Sequence, residues 1–351
     1  MLSGGLPLAW LAWSPAALGA GAVGVALAVD WIWGEPPARW HPVVWMGVYL
    51  GWVGRWAAPL AAGGVGGIGG GEAAARLARR DFWRGVLAWW VGGLLVGLLS
   101  GALAFGLSFA PGWLQAVVLG CLLKPMLAWR MLRDEVQAVE MAMRESLAAG
   151  RERLGWLVSR DVAVLDASQV RESAIETLAE NLNDSVVAPL FWFVVAGLPG
   201  AVVYRFANTA DAMWGYRGER GGRDWTWAGK WAARADDVLS WLPARITAVL
   251  LLVWGRAAVG WDRLVVEARR TPSPNSGWPM AAMALVLGVQ LSKPGVYVLN
   301  AQGRRPEAWD TAQALRVCGW VVASLAGMAA LVWLMGGWLG GGMPWPGREA
   351  L

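Results

Sequence analysis

One histidine, His41, and two cysteines, Cys121 and Cys318, are all that 351 residues offer to a soft or borderline metal. Both cysteines lie in or beside apolar runs, so neither a disulfide framework nor a zinc knuckle is available. Any metal site must be built from carboxylates and amides, which suits a hard cation such as magnesium. Charge is scarce as well: 16% of the residues are charged against 57% hydrophobic, which is not the balance of an ordinary soluble domain. No charge occurs in 1–29 and no basic segment precedes that run, so it is expected to stay as an anchor rather than be cleaved. Phosphate loops are also missing. Gly229-Lys230 has Asp224 in place of the first Walker glycine and Trp231 in place of Ser or Thr, and there is no G-x-S-x-G elbow. The G-x-G-x-x-G match at 64–69 sits in a glycine tract with no strand before it and carries no argument.

What the chain does have is lipid-grade sequence. Residues 85–123 form a second uncharged run, long enough for two spans hinged at Pro111-Gly112, and 317–341 form a third. Arg39, Arg55, Arg76, Arg79, Arg80 and Arg84 follow the first run, so the positive-inside rule places 34–84 in the cytoplasm. A full crossing by the uncharged stretch 185–204 would send Arg205, Arg217, Arg220, Arg223, Lys230 and Arg234 outside. A re-entrant element is predicted there, and less strongly at 246–255 and 277–291. The expected fold class is an all-α integral membrane protein: a polytopic helical bundle with re-entrant or broken helices and a cytoplasmic helical region. It reads as one membrane domain over 1–351. A first span covers 1–33, a helical hairpin 85–129, a cytoplasmic helical segment 130–184, motif-rich re-entrant elements 185–291, and a last span 317–341. The 28 tryptophans read mainly as interface anchors. The net charge of +5 belongs to loops and favours anionic lipid or substrate over nucleic acid.

One segment stands out. Glu172, Glu176 and Glu180 recur every four residues, and Asn183 and Asp184 continue the row, so a helix stacks them on one face. Like charges at that spacing repel by about a few tenths of a kcal/mol per pair, so the row calls for a cation or for Arg and Lys side chains. The plain alternative is a solvated acidic face, and Glu172 is the member expected to be solvated. Asp166-Ala167-Ser168 has the form of an N-cap for this helix. Further polar groups edge the apolar pieces: Asp30 and His41, Arg160, Asn208 with Asp211, Lys230, Arg234 with Asp236 and Asp237, Arg245, and Asn275. Residues alone reach a membrane-embedded site that handles anions with magnesium, and they supply no nucleophile dyad.

The motifs carry a resemblance beyond that. Asp30-Trp31-Ile32-Trp33-Gly34-Glu35-Pro36 with His41-Pro42-Val43, Ser159-Arg160-Asp161, Glu176-Thr177-Leu178-Ala179-Glu180-Asn181 and Asn208-Thr209-Ala210-Asp211 occur in order. Ala233-Arg234-Ala235-Asp236-Asp237, Leu242-Pro243-Ala244-Arg245 and Ser273-Pro274-Asn275 follow. The chain resembles the CobD/CbiB family, the adenosylcobinamide-phosphate synthases of cobalamin biosynthesis, over nearly its whole length. It departs mildly, with Glu35 where the family usually has Asp and Arg205 where Lys is common. The resemblance implies an ATP-dependent amide ligase that joins adenosylcobyric acid to (R)-1-aminopropan-2-yl phosphate, or to ethanolamine phosphate, with ATP as co-substrate and Mg²⁺ as cofactor. Within it, Asp30, His41, Glu176 and Glu180 take catalytic roles, with His41 equally readable as a structural hydrogen-bonding residue before Pro42. Arg160, Lys230, Arg234, Arg245, Asn208 and Asn275 hold the co-substrate, and Glu180, Asp184, Asp211 and Asp237 hold metal. The implied setting is the cytoplasmic membrane, multi-pass, with the site facing the cytoplasm. Other late cobalamin-pathway enzymes are candidate partners, and a homo-oligomer is left open. The competing readings are an AmpE-like regulatory membrane protein without ligase activity, and a corrinoid or ion permease.

Overall fold

Ser14 opens the first helix: its hydroxyl accepts from the Ala17 N–H at 3.2 Å, and Pro15 follows with its φ already set. The structure is a computed structural model that describes residues 14–61 and 71–341. The start of the predicted first span and all of the glycine tract 63–71 except Gly71 lie outside these residues.

Helix α1 (Pro15–Trp33) is followed by α2 (Pro42–Ala57) and by α3 (Glu72–Leu107), which at about 1.5 Å per residue outruns a bilayer core of about 30 Å. The turn at 108–111 reverses the chain into α4 (Gly112–Leu123), at the hinge foreseen from Pro111-Gly112. This second arm does not run on as one long helix. Pro125 lacks an N–H, and the chain tightens into a 3₁₀ turn, Lys124–Met126, before α5 (Trp129–Glu145) and α6 (Leu147–Leu154). Next come α7 (Ala167–Leu182), a π turn (Asn183–Val187) and α8 (Ala188–Trp214). A two-residue ladder of β1 (Glu219–Arg220) with β2 (Arg223–Asp224) leads to α9 (Lys230–Leu239) and α10 (Trp241–Trp254). Then α11 (Trp261–Ala268) and α12 (Gly277–Leu287) precede the antiparallel hairpin of β3 (Leu291–Lys293) and β4 (Tyr297–Leu299), and α13 (Ala308–Gly341) closes the chain. The last span thus begins about two turns before the predicted 317.

Five helical stretches among the described residues are long and apolar enough to cross a membrane: Pro15–Trp33, Glu72–Leu107, Gly112–Glu145, Ala167–Trp214 and Ala308–Gly336. The pair α9 and α10, bent by 48°, makes a sixth if counted as one. The protein is an all-α polytopic membrane protein. Its outward faces carry exposed Leu98, Leu99, Phe105 and Trp113, side chains suited to lipid rather than water.

Inside α8 the helix breaks at Ala196 and Gly197, where Gly197 takes φ +63° and ψ −157°. A straight helix would hold residues 184 and 208 about 36 Å apart. Instead the Asn208 amide donates to Asp184 Oδ2 at 3.2 Å, so the chain doubles back on itself. The returning limb lies against α3, where a side chain at Gly92 would collide with Phe206 at 2.4 Å, so only glycine admits that close approach.

One expectation is corrected. Within the segment 130–184, α7 is buried at Val170, along 172–179 and again at Leu182. Glu172, expected to be solvated, is 1% exposed and accepts a short hydrogen bond from the Ser292 hydroxyl on β3. The β3–β4 hairpin and α12 cover a face that would otherwise meet water. The N-cap does form: Asp166 accepts from the Ser168 and Gln169 N–H groups at 3.0 Å each, and the Gln169 side chain returns to the Asp166 N–H in a capping box.

Candidate functional site

The ends of α1, α4 and α7 and the two limbs of α8 converge on one polar cluster. At its near side, Lys124 is 3% exposed and bridges Asp30 at 3.2 Å and Glu35 at 2.9 Å. Asp30 Oδ2 also accepts the Arg130 N–H at 2.9 Å. Burial works to raise the Glu35 carboxyl, but the hydrogen bonds to His41 and Lys124 and the Lys124 charge prevail and hold it below the usual range. His41 is a helix cap: its Nδ1 accepts from the Val43 N–H at 3.2 Å, so Nε2 carries the proton toward Glu35 Oε2 at 3.0 Å. Both ring nitrogens are therefore occupied, which leaves His41 to orient Glu35.

The carboxylate row runs beside this group. Arg160 binds Glu176 Oε2 at 3.0 Å and the Ser173 hydroxyl at 3.1 Å, supplying the counter-charge the spacing called for. Lys293 on β3 lies within electrostatic reach of Glu176 and Glu180. Tyr297 on β4 faces the same carboxylates, and burial together with the negative Glu176 keeps its hydroxyl protonated far above the usual range. Glu180 forms no hydrogen bond or ion pair among the described residues and is the free carboxylate of the row.

Where α7 would continue, the π turn widens the backbone and presents Asn183 and Asp184 side by side. Asn183 donates to Asp184 Oδ1 at 2.8 Å and accepts from the Thr247 hydroxyl of α10 at 3.1 Å, which locks the turn. Arg205, on the returning limb of α8, donates to the Asp184 carbonyl and the Ser185 hydroxyl, each at 3.2 Å. Asn208 reaches Asp184 Oδ2 at 3.2 Å and Asp236 Oδ1 at 3.4 Å, tying α8 to α9. Ser240 links Asp236, at 3.5 Å, to the buried Tyr204 hydroxyl, at 3.2 Å. Asp211 lies one turn beyond Asn208, and the half-buried Asp237 flanks the group within electrostatic reach of Arg217.

The remaining candidates fall elsewhere. Arg245 donates to the Asn275 side chain at 2.8 Å and to the Trp241 and Pro274 carbonyls at 2.7 and 3.1 Å, stacked between the rings of Trp241 and Trp278. Asn275 in turn donates to the Asp237 carbonyl at 2.7 Å. These two residues brace α9 against the 273–275 loop. Lys230 and Arg234 line a different groove, against α3.

Sequence reasoning passed over Lys124, Tyr204, Lys293 and Tyr297 as site residues, and grouped Asp236 with Arg234 and Asp237 without giving it a role. Lys124 had a signal: it is the first charge after the 85–123 run. The others became neighbours only through the α8 reversal and the β3–β4 hairpin.

With this geometry in view, similarity to known proteins is decisive. Residues 23–335 match the family described as CobD/Cbib protein. The chain belongs to the CobD/CbiB family. A probable cobalamin biosynthesis protein CobD of Pyrococcus abyssi is 42% identical over 306 residues, 86% of this chain and 92% of the relative. The cobalamin biosynthesis protein CobD of Chromobacterium violaceum is 38% identical over 330 residues, 88% of this chain and 96% of the relative. That of Brucella suis is 35% identical over 343 residues, 90% and 97% of the two chains. No solved structure matches the fold. The CobD/CbiB motifs thus line a cluster that alternates buried carboxylates with Lys124, Arg160 and Arg205.

Magnesium can be tested against this donor set. Among the described residues no three His, Cys, Asp or Glu side chains converge as a cation cage. Asp184 and Asp236, joined through the Asn208 amide, offer two carboxylates to one space, and magnesium is commonly bound by one or two carboxylates completed by phosphates and water. The residues fit a site of that kind.

Proposed function

We propose that this protein is an ATP-dependent amide ligase of cobalamin biosynthesis, joining adenosylcobyric acid to (R)-1-aminopropan-2-yl phosphate, or to ethanolamine phosphate. The observation that carries the reading is the pairing of Asp184 and Asp236 through Asn208, beside the free Glu180 and the guanidinium groups of Arg160 and Arg205. Joining a carboxylate to an amine in water is uphill, so the carboxylate must first be activated. In the economical sequence its oxygen attacks the γ-phosphorus of ATP, the bond to the β-phosphate oxygen breaks, and ADP leaves. The amine then attacks the acyl phosphate carbon, phosphate departs, and the amine gives up a proton.

Asp184 and Asp236 would hold magnesium, which supplies charge neutralisation on the ATP oxygens. Arg160 and Arg205 balance the phosphate charge from the protein side. Glu180 is the residue available to take the proton of the amine, because Asp30 and His41 are held by Lys124, Arg130, Val43 and Glu35. The setting is a cytoplasmic membrane with the site open to the cytoplasm, where ATP is found.

The test uses the full chain in lipid nanodiscs. ADP release that requires both adenosylcobyric acid and the amino alcohol phosphate, with adenosylcobinamide phosphate identified by mass, is the expected result. Corrinoid uptake into vesicles without ATP turnover would overturn it in favour of a carrier.

A further inference from the structure

Lys230 and Arg234 take no part in the carboxylate cluster. With Arg79 of α3 they edge a groove of about 500 Å³ whose other walls include Ala78, Phe82 and Trp227. None of the three cations has an acidic partner among the described residues, and Lys230 Nζ rests over the Trp227 ring at 4.3 Å. Three positive charges around an apolar hollow repel one another, and the arrangement calls for an anion that carries apolar bulk of its own.

The position along α3 indicates which anion. The uncharged run begins at Gly85, where the helix is pressed against the chain at Ala228 so closely that a Cβ would lie 1.9 Å from its carbonyl oxygen. Arg79 precedes Gly85 by about 9 Å along the axis, so with the run in hydrocarbon the three cations stand at headgroup level. Exposed Trp83 and Trp56, the latter under Arg84 at 5.3 Å, ring the same end in the manner of an interfacial belt. Basic hollows between helices at that depth recognise anionic headgroups.

We infer that this groove holds an anionic phospholipid, with its phosphate among Arg79, Lys230 and Arg234 and its glycerol and first methylenes against Phe82 and Trp227. Such a lipid joins α3 to α9, the helix that carries Asp236, and so braces one wall of the carboxylate cluster from outside. The inference stands apart from the ligase reading, since it is read out by lipid retention and not by turnover.

Native mass spectrometry of the delipidated full chain, titrated with phosphatidylglycerol or phosphatidylcholine, tests it. The wild type is expected to keep one phosphatidylglycerol with at least about a tenfold preference, given the contribution of each basic residue near an anionic headgroup. Lys230→Gln with Arg234→Gln should erase that preference. The equal charge loss Arg144→Gln with Arg316→Gln, and the charge-keeping pair Lys230→Arg with Arg234→Lys, should preserve it. Equal retention of the two lipids by wild type, or an undiminished preference in the Lys230→Gln, Arg234→Gln protein, overturns the proposal. So does displacement of phosphatidylglycerol by ATP with magnesium, which would make the groove a site for a soluble phosphate.

Discussion

Lys124 Nζ stands 3.2 Å from Asp30 Oδ1, joining the end of α4 to the end of α1 with both side chains almost wholly buried. The same ammonium reaches Glu35 at 2.9 Å, so one positive charge serves two carboxylates. Removing it leaves buried negative charge uncompensated.

Lys124→Met is therefore expected to lower stability by about 3–5 kcal/mol, measured as thermal unfolding in detergent. Adding Asp30→Asn and Glu35→Gln should restore part of the loss. If the triple variant is no more stable than the single, the ion triad is not what holds the two helix ends together.

On the proposed reading Glu180 and Asp184 serve the reaction, Glu180 as the free carboxylate of the row and Asp184 as a metal ligand. Alanine at either position should cut ligation by on the order of a hundredfold or more with membrane insertion intact; the melting temperature should stay close to wild type for Glu180→Ala and fall for Asp184→Ala, which leaves the Asn183 and Asn208 amides without their acceptor. Wild-type turnover in either variant would remove that residue from the proposed chemistry.

Gly197 turns α8 back on itself in a backbone region that side chains avoid. Gly197→Ala should cost about 1–3 kcal/mol. Because the reversal brings Asn208 to Asp184, activity should fall together with stability, and a variant that folds normally would show that another residue sets the turn.

Asp166 caps α7 and is paired with Arg305 at 2.5 Å. The Arg305 hydrogen bond, aided by the Gln169 and Ser168 N–H groups and the Arg305 charge, outweighs burial and holds the Asp166 carboxyl below its usual value. Its contribution is thus complete above the unfolded value, about 3.9, and is lost as pH falls through the lower folded value. Arg305→Gln should lower stability at neutral pH by no more than about 1 kcal/mol because the pair is exposed, and the difference from wild type, read by circular dichroism in detergent, should vanish as pH falls through the Asp166 value. Asp166→Ala should instead cost about 0.5–2 kcal/mol at neutral pH through loss of the cap.

Composition alone determined that this is a helical membrane protein, because uncharged runs of span length have few other stable homes. The four-residue spacing of Glu172, Glu176 and Glu180 revealed a shared face, since helical periodicity is a local property. Ordered motifs from Asp30 to Asn275 pointed to the family. The tertiary structure decided what local periodicity cannot: which face is covered, and by what. Glu172 looked solvated until β3 was seen to bring Ser292 onto it, and of the two readings left open for His41, base or structural residue, the hydrogen bonds at both ring nitrogens favour the second. Arg245 and Asn275, read as ligand contacts, also join the 273–275 loop to the Trp241 and Asp237 carbonyls. Lys124 and Asp236 enter the cluster only because the 3₁₀ turn, the π turn and the reversal at Gly197 bring Lys124 onto Asp30 and Glu35, and Asp236 onto Asn208, which lies 28 positions away, and such closures depend on packing between helices rather than on neighbours along the chain.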